Sequence, residues 1–79
     1  MGLNLTNLKL WASEQTEKPF LLVVCDTFEY ENYPVHCADA VELGKKAEEY
    51  DNKSMQRIEG MYIKDGLVPC HRTGVAVGV

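Results

Sequence analysis

One unbroken apolar run constrains the fold of this chain more than any other feature. Phe20 to Cys25 are six consecutive apolar residues, with Pro19 before them and Asp26 after them. Six residues are short for a buried helix. A run of this length that is rich in β-branched residues suits a strand covered on both faces. We therefore expect a central β-strand here, with the remaining elements arranged around it.

A second strand is predicted after a short loop. Tyr33, Val35 and Cys37 alternate with Pro34 and His36, which is the two-residue period of a strand. Proline has no N–H to donate to a neighbouring strand. The second strand should therefore lie at an edge of the sheet, or begin at its proline.

One principal helix is predicted from Asp39 to Tyr50. Asp39 is a good N-cap, and Glu42 stands three residues later, at the spacing of a capping box. The residues that follow place apolar side chains on one helical face and charged side chains on the other. Asn52 can adopt the left-handed conformation that ends a helix.

A third strand is predicted within the run from Met55 to Lys64. Ile58 lies in one phase of the alternation and Met61 in the other, and Gly60 between them can absorb the change as a β-bulge. A hairpin followed by a right-handed crossover gives the strand order two, one, three, with the apolar run in the middle and the helix on one face.

The sequence thus predicts a single α+β domain over residues 1–79, with a three- to four-stranded, mainly antiparallel sheet and a β-β-α-β core at about residues 19–65. Residues 1–12 favour an extended segment that adds to the sheet or covers its open face, although a short apolar helix fits nearly as well. Residues 13–18 are polar and predict a loop. Residues 66–79 predict a loose tail, with a short edge strand as the alternative.

Length and charge limit the possible functions. A chain of 79 residues buries only about 60–65% of its unfolded surface, which disfavours a large catalytic cleft. The net charge is −4, and residues 26–51 carry eight acids against two lysines. This surface disfavours direct nucleic-acid binding and suits a basic partner, or it is simply a solvated face. With no signal peptide, no membrane segment and three cysteines, we expect a reducing cytoplasm.

Four residues could supply a metal or thiol site: His36, Cys37, Cys70 and His71. Two Cys and two His suffice for zinc, but neighbours on a strand point to opposite faces and no C-x-x-C spacing is present. Cys25 and Cys37 flank the hairpin, so they could form a disulfide or remain as two buried thiols. We expect Cys70 to be the exposed cysteine and His36 to lie on the surface. No metal site or cofactor is predicted.

The loop after the central strand combines acids with aromatic residues. The chain has no Ser-His-Asp signature and no phosphate-binding glycine loop, so we expect no catalytic residues and no enzymatic activity. Aromatic anchors with an acidic rim suit protein recognition. The alternative is that Phe28 and Tyr33 fold back over the core. The predicted binding residues are Asp26, Phe28, Glu29, Tyr30, Glu31, Glu42 and Glu49.

Two segments carry a resemblance: Asp26-Thr27-Phe28-Glu29-Tyr30-Glu31-Asn32-Tyr33-Pro34-Val35, and Met55-Gln56-Arg57-Ile58 after the acidic helix. Together they resemble small uncharacterised proteins encoded by bacteriophages. The chain is also similar in size, charge and element order to small phage inhibitors of host machinery, such as anti-CRISPR proteins and the phage inhibitor of host RNA polymerase. The resemblance covers about residues 20–64 and includes no catalytic motif.

The resemblance, together with the small size and the absence of a catalytic set, implies a non-enzymatic phage or mobile-element protein that binds and inhibits a host protein. The acidic surface of the loop and helix predicts that this partner has a basic surface, and we expect the protein to be a monomer or a homodimer. Two alternatives stay open. One is a small zinc or thiol protein that uses the Cys and His pairs, and the other is a homo-oligomeric module joined through an edge strand or the valine-containing tail.

Overall fold

The computed structural model of the protein describes residues 5–14, 17–51 and 55–78. In chain order the elements are α1 (Leu5–Glu14), β1 (Phe20–Asp26), β2 (Glu31–Cys37), α2 (Ala40–Tyr50), β3 (Gln56–Ile63), a 3₁₀ turn (Asp65–Leu67) and β4 (Val68–Pro69). Neither helix in these ranges has the length and apolar character that crossing a membrane requires.

The four strands form one antiparallel sheet in the order β2-β1-β3-β4. The predicted α+β class, the central position of the apolar run and the order of the first three strands are confirmed. Pro34 lies in the edge strand β2, where its missing N–H costs no hydrogen bond within the sheet. The chain differs from the expected core pattern in that it begins with a helix and ends with a fourth, short strand.

A β-bulge interrupts the pairing of β1 with β3. Val23 pairs with Gly60 and Val24 pairs with Ile58, so Glu59 is the extra residue. A bulge was predicted in this strand at Gly60, and the structure confirms the bulge with the extra residue one position earlier. The side chain of Tyr62 also lies over this glycine. A Cβ atom at Gly60 would approach the ring and hydroxyl of Tyr62 to 2.8 Å, so a larger residue there would require the tyrosine to move.

The start of α2 follows the capping prediction closely. Asp39 accepts a hydrogen bond at its Oδ1 from the backbone N–H of Glu42 at 2.8 Å. The Glu42 carboxylate accepts in return from the backbone N–H of Ala38 at 3.1 Å, one residue earlier than in the usual capping box. The helix ends at Tyr50, and the expected terminator Asn52 lies outside the described residues.

Alternate residues of β1 pack on the two faces of the sheet. Leu22 and Val24 join Leu43 of α2 on one face, whereas Leu21 and Val23 join Leu8 of α1 on the other. All four β1 residues are completely buried. A continuous apolar run is therefore required here, since a strand covered on both faces has no solvent-facing side.

Helix α1 replaces the extended segment that the sequence favours. Leu8, Trp11 and Ala12 are the residues that turn inward, and their spacing is that of one helical face. Leu5 and Leu10 remain 60% and 58% exposed. The favoured prediction was wrong because it treated every leucine as core, whereas only this narrow stripe packs on the sheet. Ser13 and Glu14 also belong to α1 rather than to a loop.

The C-terminal residues fold back on the sheet where the sequence favours a loose tail. β4 pairs with β3, and Cys70 forms an isolated bridge with Ala76. Gly74, at φ +83°, lies so close to the start of α2 that a Cβ atom there would approach Ala40 to 3.0 Å. The pairing of β4 and the Cys70 bridge join residues that are close in sequence, whereas the contact of Gly74 with Ala40 joins distant residues and has no local sequence signal.

Candidate functional site

Asp26 organises the turn between β1 and β2. Its carbonyl accepts from the N–H of Tyr30 at 2.6 Å. Its carboxylate Oδ1 accepts from the N–H of Phe28 at 2.9 Å and, more weakly, from that of Glu29 at 3.4 Å. An aspartate that bonds the backbone two residues ahead favours such a turn. Asp26 was predicted to bind a partner, and in the structure its carboxylate is occupied in holding the turn.

A second turn lies beside the first. Thr27 donates from both its backbone N–H and its hydroxyl to the carbonyl of Met55, at 2.8 and 2.6 Å. The structure thereby brings three large apolar side chains to one end of the molecule: Phe28, Tyr30 and Met55 are 70%, 70% and 59% exposed. We call residues 27–30 together with Met55 the hairpin tip.

Two residues of the hairpin tip adopt left-handed backbone conformations. Tyr30 has φ 57° and Met55 has φ 59°. For a residue with a Cβ atom this region costs roughly 1–2 kcal/mol, and glycine or asparagine is the usual occupant. Strain of this kind, at residues whose side chains reach solvent, marks a position where a role beyond folding is worth testing.

The predicted acids are spread over more than one region. Glu29 lies in the tip, and Glu31 lies at its border and pairs across the strands with Asp26. Glu42 stands at the start of α2, next to the end of β2 farthest from the tip, and its carboxylate serves the helix cap. Glu49 forms an ion pair with Lys46 at 3.5 Å.

The two aromatic residues suggested to cap the core behave differently. Tyr33 packs against the core and meets Tyr50 edge-to-face, with ring centroids 6.4 Å apart and an interplanar angle of 86°. Its hydroxyl also accepts a hydrogen bond from Gln56. Phe28 instead points away from the core, so the proposed capping holds for Tyr33 alone.

The cysteines make no disulfide. The strand register pairs Cys25 with Asn32 and Cys37 with Phe20, so the two cysteines are not opposite each other. Cys70, expected to be exposed, is 5% exposed and packs in the same cluster as Cys37. Burial raises the pKa of Cys37 to about 11, which leaves almost no thiolate at neutral pH.

His36 and Cys37 point to opposite faces, as the strand geometry predicts. The imidazole is 11% exposed, which corrects the expected surface position. Its Nδ1 lies 2.8 Å from Lys64 Nζ, and its Nε2 lies 3.7 Å from a carboxylate oxygen of Glu14. Because an ammonium only donates, Nδ1 accepts and the imidazole proton sits on Nε2. Burial, reinforced by Lys64, lowers the pKa of His36.

The described residues contain no group of three or more His, Cys, Asp or Glu side chains placed to hold a metal ion. Cys70 lies in the core cluster with Cys37, while His71 is exposed and His36 is on the other side of the sheet. The four residues of the alternative zinc site are therefore not brought together.

Sequence reasoning missed two features. Met55 was treated as the start of a strand, although pairing the end of the first strand with the start of the third would have placed it beside Thr27. The contact between His36 and Lys64 joins residues 28 positions apart and has no local sequence signal.

Comparisons with protein families, with curated proteins and with solved structures find no match to this chain.

Proposed function

We propose that this protein is a small, non-enzymatic phage or mobile-element protein that binds and inhibits a host protein through its hairpin tip. The observation that carries the proposal is that Phe28, Tyr30 and Met55 are exposed together at one end of the folded molecule. Burying such side chains would stabilise the folded state of a domain with a small core, so their joint exposure favours a role at an interface.

Charge supports the choice of partner. Glu29 lies between Phe28 and Tyr30, and Glu31 follows Tyr30; both acids are exposed, and Asp26 adds a third acid at the base of the turn. A partner with a basic rim around an apolar pocket complements this pattern. Of the helix acids, Glu49 stands in the last turn of α2, the end nearer the tip, while Glu42 is engaged in the cap. Glu29 and Glu31 therefore supply the main electrostatic attraction to the partner.

The inhibitory role and the phage origin rest on the resemblance of residues 20–64 to small phage proteins that block host machinery. A binding surface of a few anchors and a short acidic segment is sufficient for such a task, because occupying a basic site needs no chemistry. The host cytoplasm is the corresponding place of action.

Capture of the partner provides the test. The protein, biotinylated at one terminus, is used to retrieve proteins from a lysate of the host bacterium, and association and dissociation are then followed at two salt concentrations. We expect the double reversal Glu29→Lys with Glu31→Lys to slow association and to reduce its salt dependence. We expect Tyr30→Ala to speed dissociation, at a cost of about 2 kcal/mol in binding, or roughly 30-fold in Kd.

A matched control separates position from total charge. Glu17 and Asp65 are exposed and lie just before β1 and just after β3, at the end of the sheet away from the tip. Reversing both to lysine changes the net charge by the same amount as Glu29→Lys with Glu31→Lys, which we call the tip reversal. This control variant should leave the association rate nearly unchanged. If the tip reversal and Tyr30→Ala both retained wild-type rates, the tip would be a solvated connector and the interface would lie elsewhere.

A homo-oligomeric module is the second candidate. Val75 and Val77 are 51% and 52% exposed on either side of Ala76, which pairs with Cys70. A second copy of the chain could cover both valines. Light scattering on the wild type and on the variant Val75→Ser with Val77→Ser tests this: a dimer that dissociates in the variant supports it, and a wild-type monomer excludes it.

A further inference from the structure

A cavity of about 430 Å³ lies between α1 and the turn that follows β3, away from the hairpin tip. It is lined by Lys9, Ala12, Ser13, Lys64, Gly66 and Leu67. The volume is within the range of sites that bind small molecules. We call these six residues the basic pocket.

The charge of the basic pocket is unusual for this chain. Its two ionisable lining residues, Lys9 and Lys64, are both cationic, in a protein whose net charge is −4. A second cavity of about 360 Å³ along α2 is instead lined by acids as well as lysines, with Asp39, Glu42 and Glu49 in its wall. The basic pocket is therefore the cavity of the two that favours an anion.

Lys64 is held in position within the fold. His36 accepts from its ammonium at 2.8 Å. The imidazole is in turn packed beneath α1 near Glu14, so its orientation is set by both neighbours. The imidazole contact orients the ammonium, while the nearby carboxylates of Glu17 and Glu14 offset part of its charge. Burial lowers the pKa of Lys64, an effect that Glu17 opposes, and an anionic ligand would favour the charged form further.

We propose that the basic pocket binds a small organic phosphate monoester, with the ammonium groups of Lys9 and Lys64 on the phosphate and the organic part against Ala12 and Leu67. Lysine binds phosphate as a point charge, whereas the planar carboxylate is matched better by the fork of arginine. Ser13 donates its hydroxyl proton to the carbonyl of Leu10 at 2.7 Å, so it contributes space rather than a donor. This site is independent of the hairpin tip.

Titration of isotope-labelled protein with phenyl phosphate, followed by amide NMR shifts, tests the proposal. We expect saturable shifts at the amides of Lys9, Ser13 and Gly66. Inorganic phosphate should bind more weakly because it has no apolar part, and benzyl alcohol should not saturate because it has no charge. Equal binding of inorganic phosphate, or equal binding of benzyl alcohol, would overturn the assignment.

A pair of lysine variants locates the ligand. Lys9 is exposed, so Lys9→Gln should leave the fold intact and weaken phenyl phosphate about tenfold. Lys45→Gln removes the same charge from the exposed side of α2 and should leave the affinity unchanged. If the two variants bound equally, or if the wild type gave no saturable shifts, the basic pocket would not be a phosphate site.

Discussion

The left-handed conformation of Tyr30 allows the folding and binding roles of one residue to be measured separately. At φ 57° a residue with a Cβ atom is strained, and its ring is 70% exposed. Both Tyr30→Gly and Tyr30→Ala remove the ring and whatever area it buries. They differ in the backbone, because glycine adopts this conformation without a steric penalty and alanine does not.

The expected difference follows from two opposing quantities. Relief of left-handed strain contributes roughly 1–2 kcal/mol in favour of glycine. The greater flexibility of glycine in the unfolded chain removes about 0.5–1 kcal/mol of that gain. Tyr30→Gly should therefore be more stable than Tyr30→Ala by about 0.5–1 kcal/mol, which corresponds to a melting temperature about 4 °C higher in a domain of this size.

Thermal unfolding and partner binding together complete the experiment. The same two variants should bind the partner equally weakly, since neither has the ring. Thr73, exposed and outside the tip, supplies a control, because Thr73→Ala should change neither quantity by more than about 0.5 kcal/mol. If alanine proved as stable as glycine at position 30, the backbone there would not be strained. If both variants bound like the wild type, Tyr30 would not be an anchor.

Three further predictions concern the core and the sheet. His36 has a lowered pKa in the folded protein, so the folded state binds fewer protons than the unfolded state. The contribution of His36 to stability should be full above about pH 6.5 and should be lost as the pH drops through the folded pKa. Urea titrations at several pH values should show this dependence in the wild type but not in His36→Gln. Cys37, buried with its pKa raised to about 11, should resist alkylation at pH 8 in the folded protein and react readily in denaturant, as mass spectrometry would show. Leu43 is completely buried between α2 and the sheet, so Leu43→Ala should cost about 3 kcal/mol of unfolding free energy, whereas the exposed Val41→Ala should change it by less than about 0.5 kcal/mol.

Local patterns in the sequence were sufficient for the elements whose stabilising contacts are local or repeated. The apolar run of β1, the cap at Asp39 and the glycine of the β3 bulge each carry a signal within a few residues, and each was predicted. Helix α1 was not, because its inward stripe of Leu8, Trp11 and Ala12 is hidden among leucines that stay exposed. The deciding factor there is the open face of the sheet, which the segment itself does not encode.

The candidate site divides in the same way. The sequence of the loop after β1 shows that aromatic and acidic side chains are present, but the direction in which each side chain points depends on the conformation of the turn. Asp26 bonds the backbone of Phe28, and the ring then points to solvent. Met55 joins the tip because β1 pairs with β3 and because Thr27 donates two hydrogen bonds to the Met55 carbonyl. Long-range backbone pairing, rather than residue preference, assembles this surface.

A single strand separates the two proposed sites. Met55 immediately precedes β3 and Lys64 immediately follows it, so an eight-residue strand places the tip and the basic pocket roughly 25–30 Å apart. β3 pairs with the buried central strand along this length, with its register shift at the bulge. Coupling over such a distance requires an element with two discrete arrangements, and a strand whose register is fixed by pairing with the buried central strand is a poor candidate for one. Substitutions at the two sites should therefore act additively. Each set of variants can then serve as the folding control for the other.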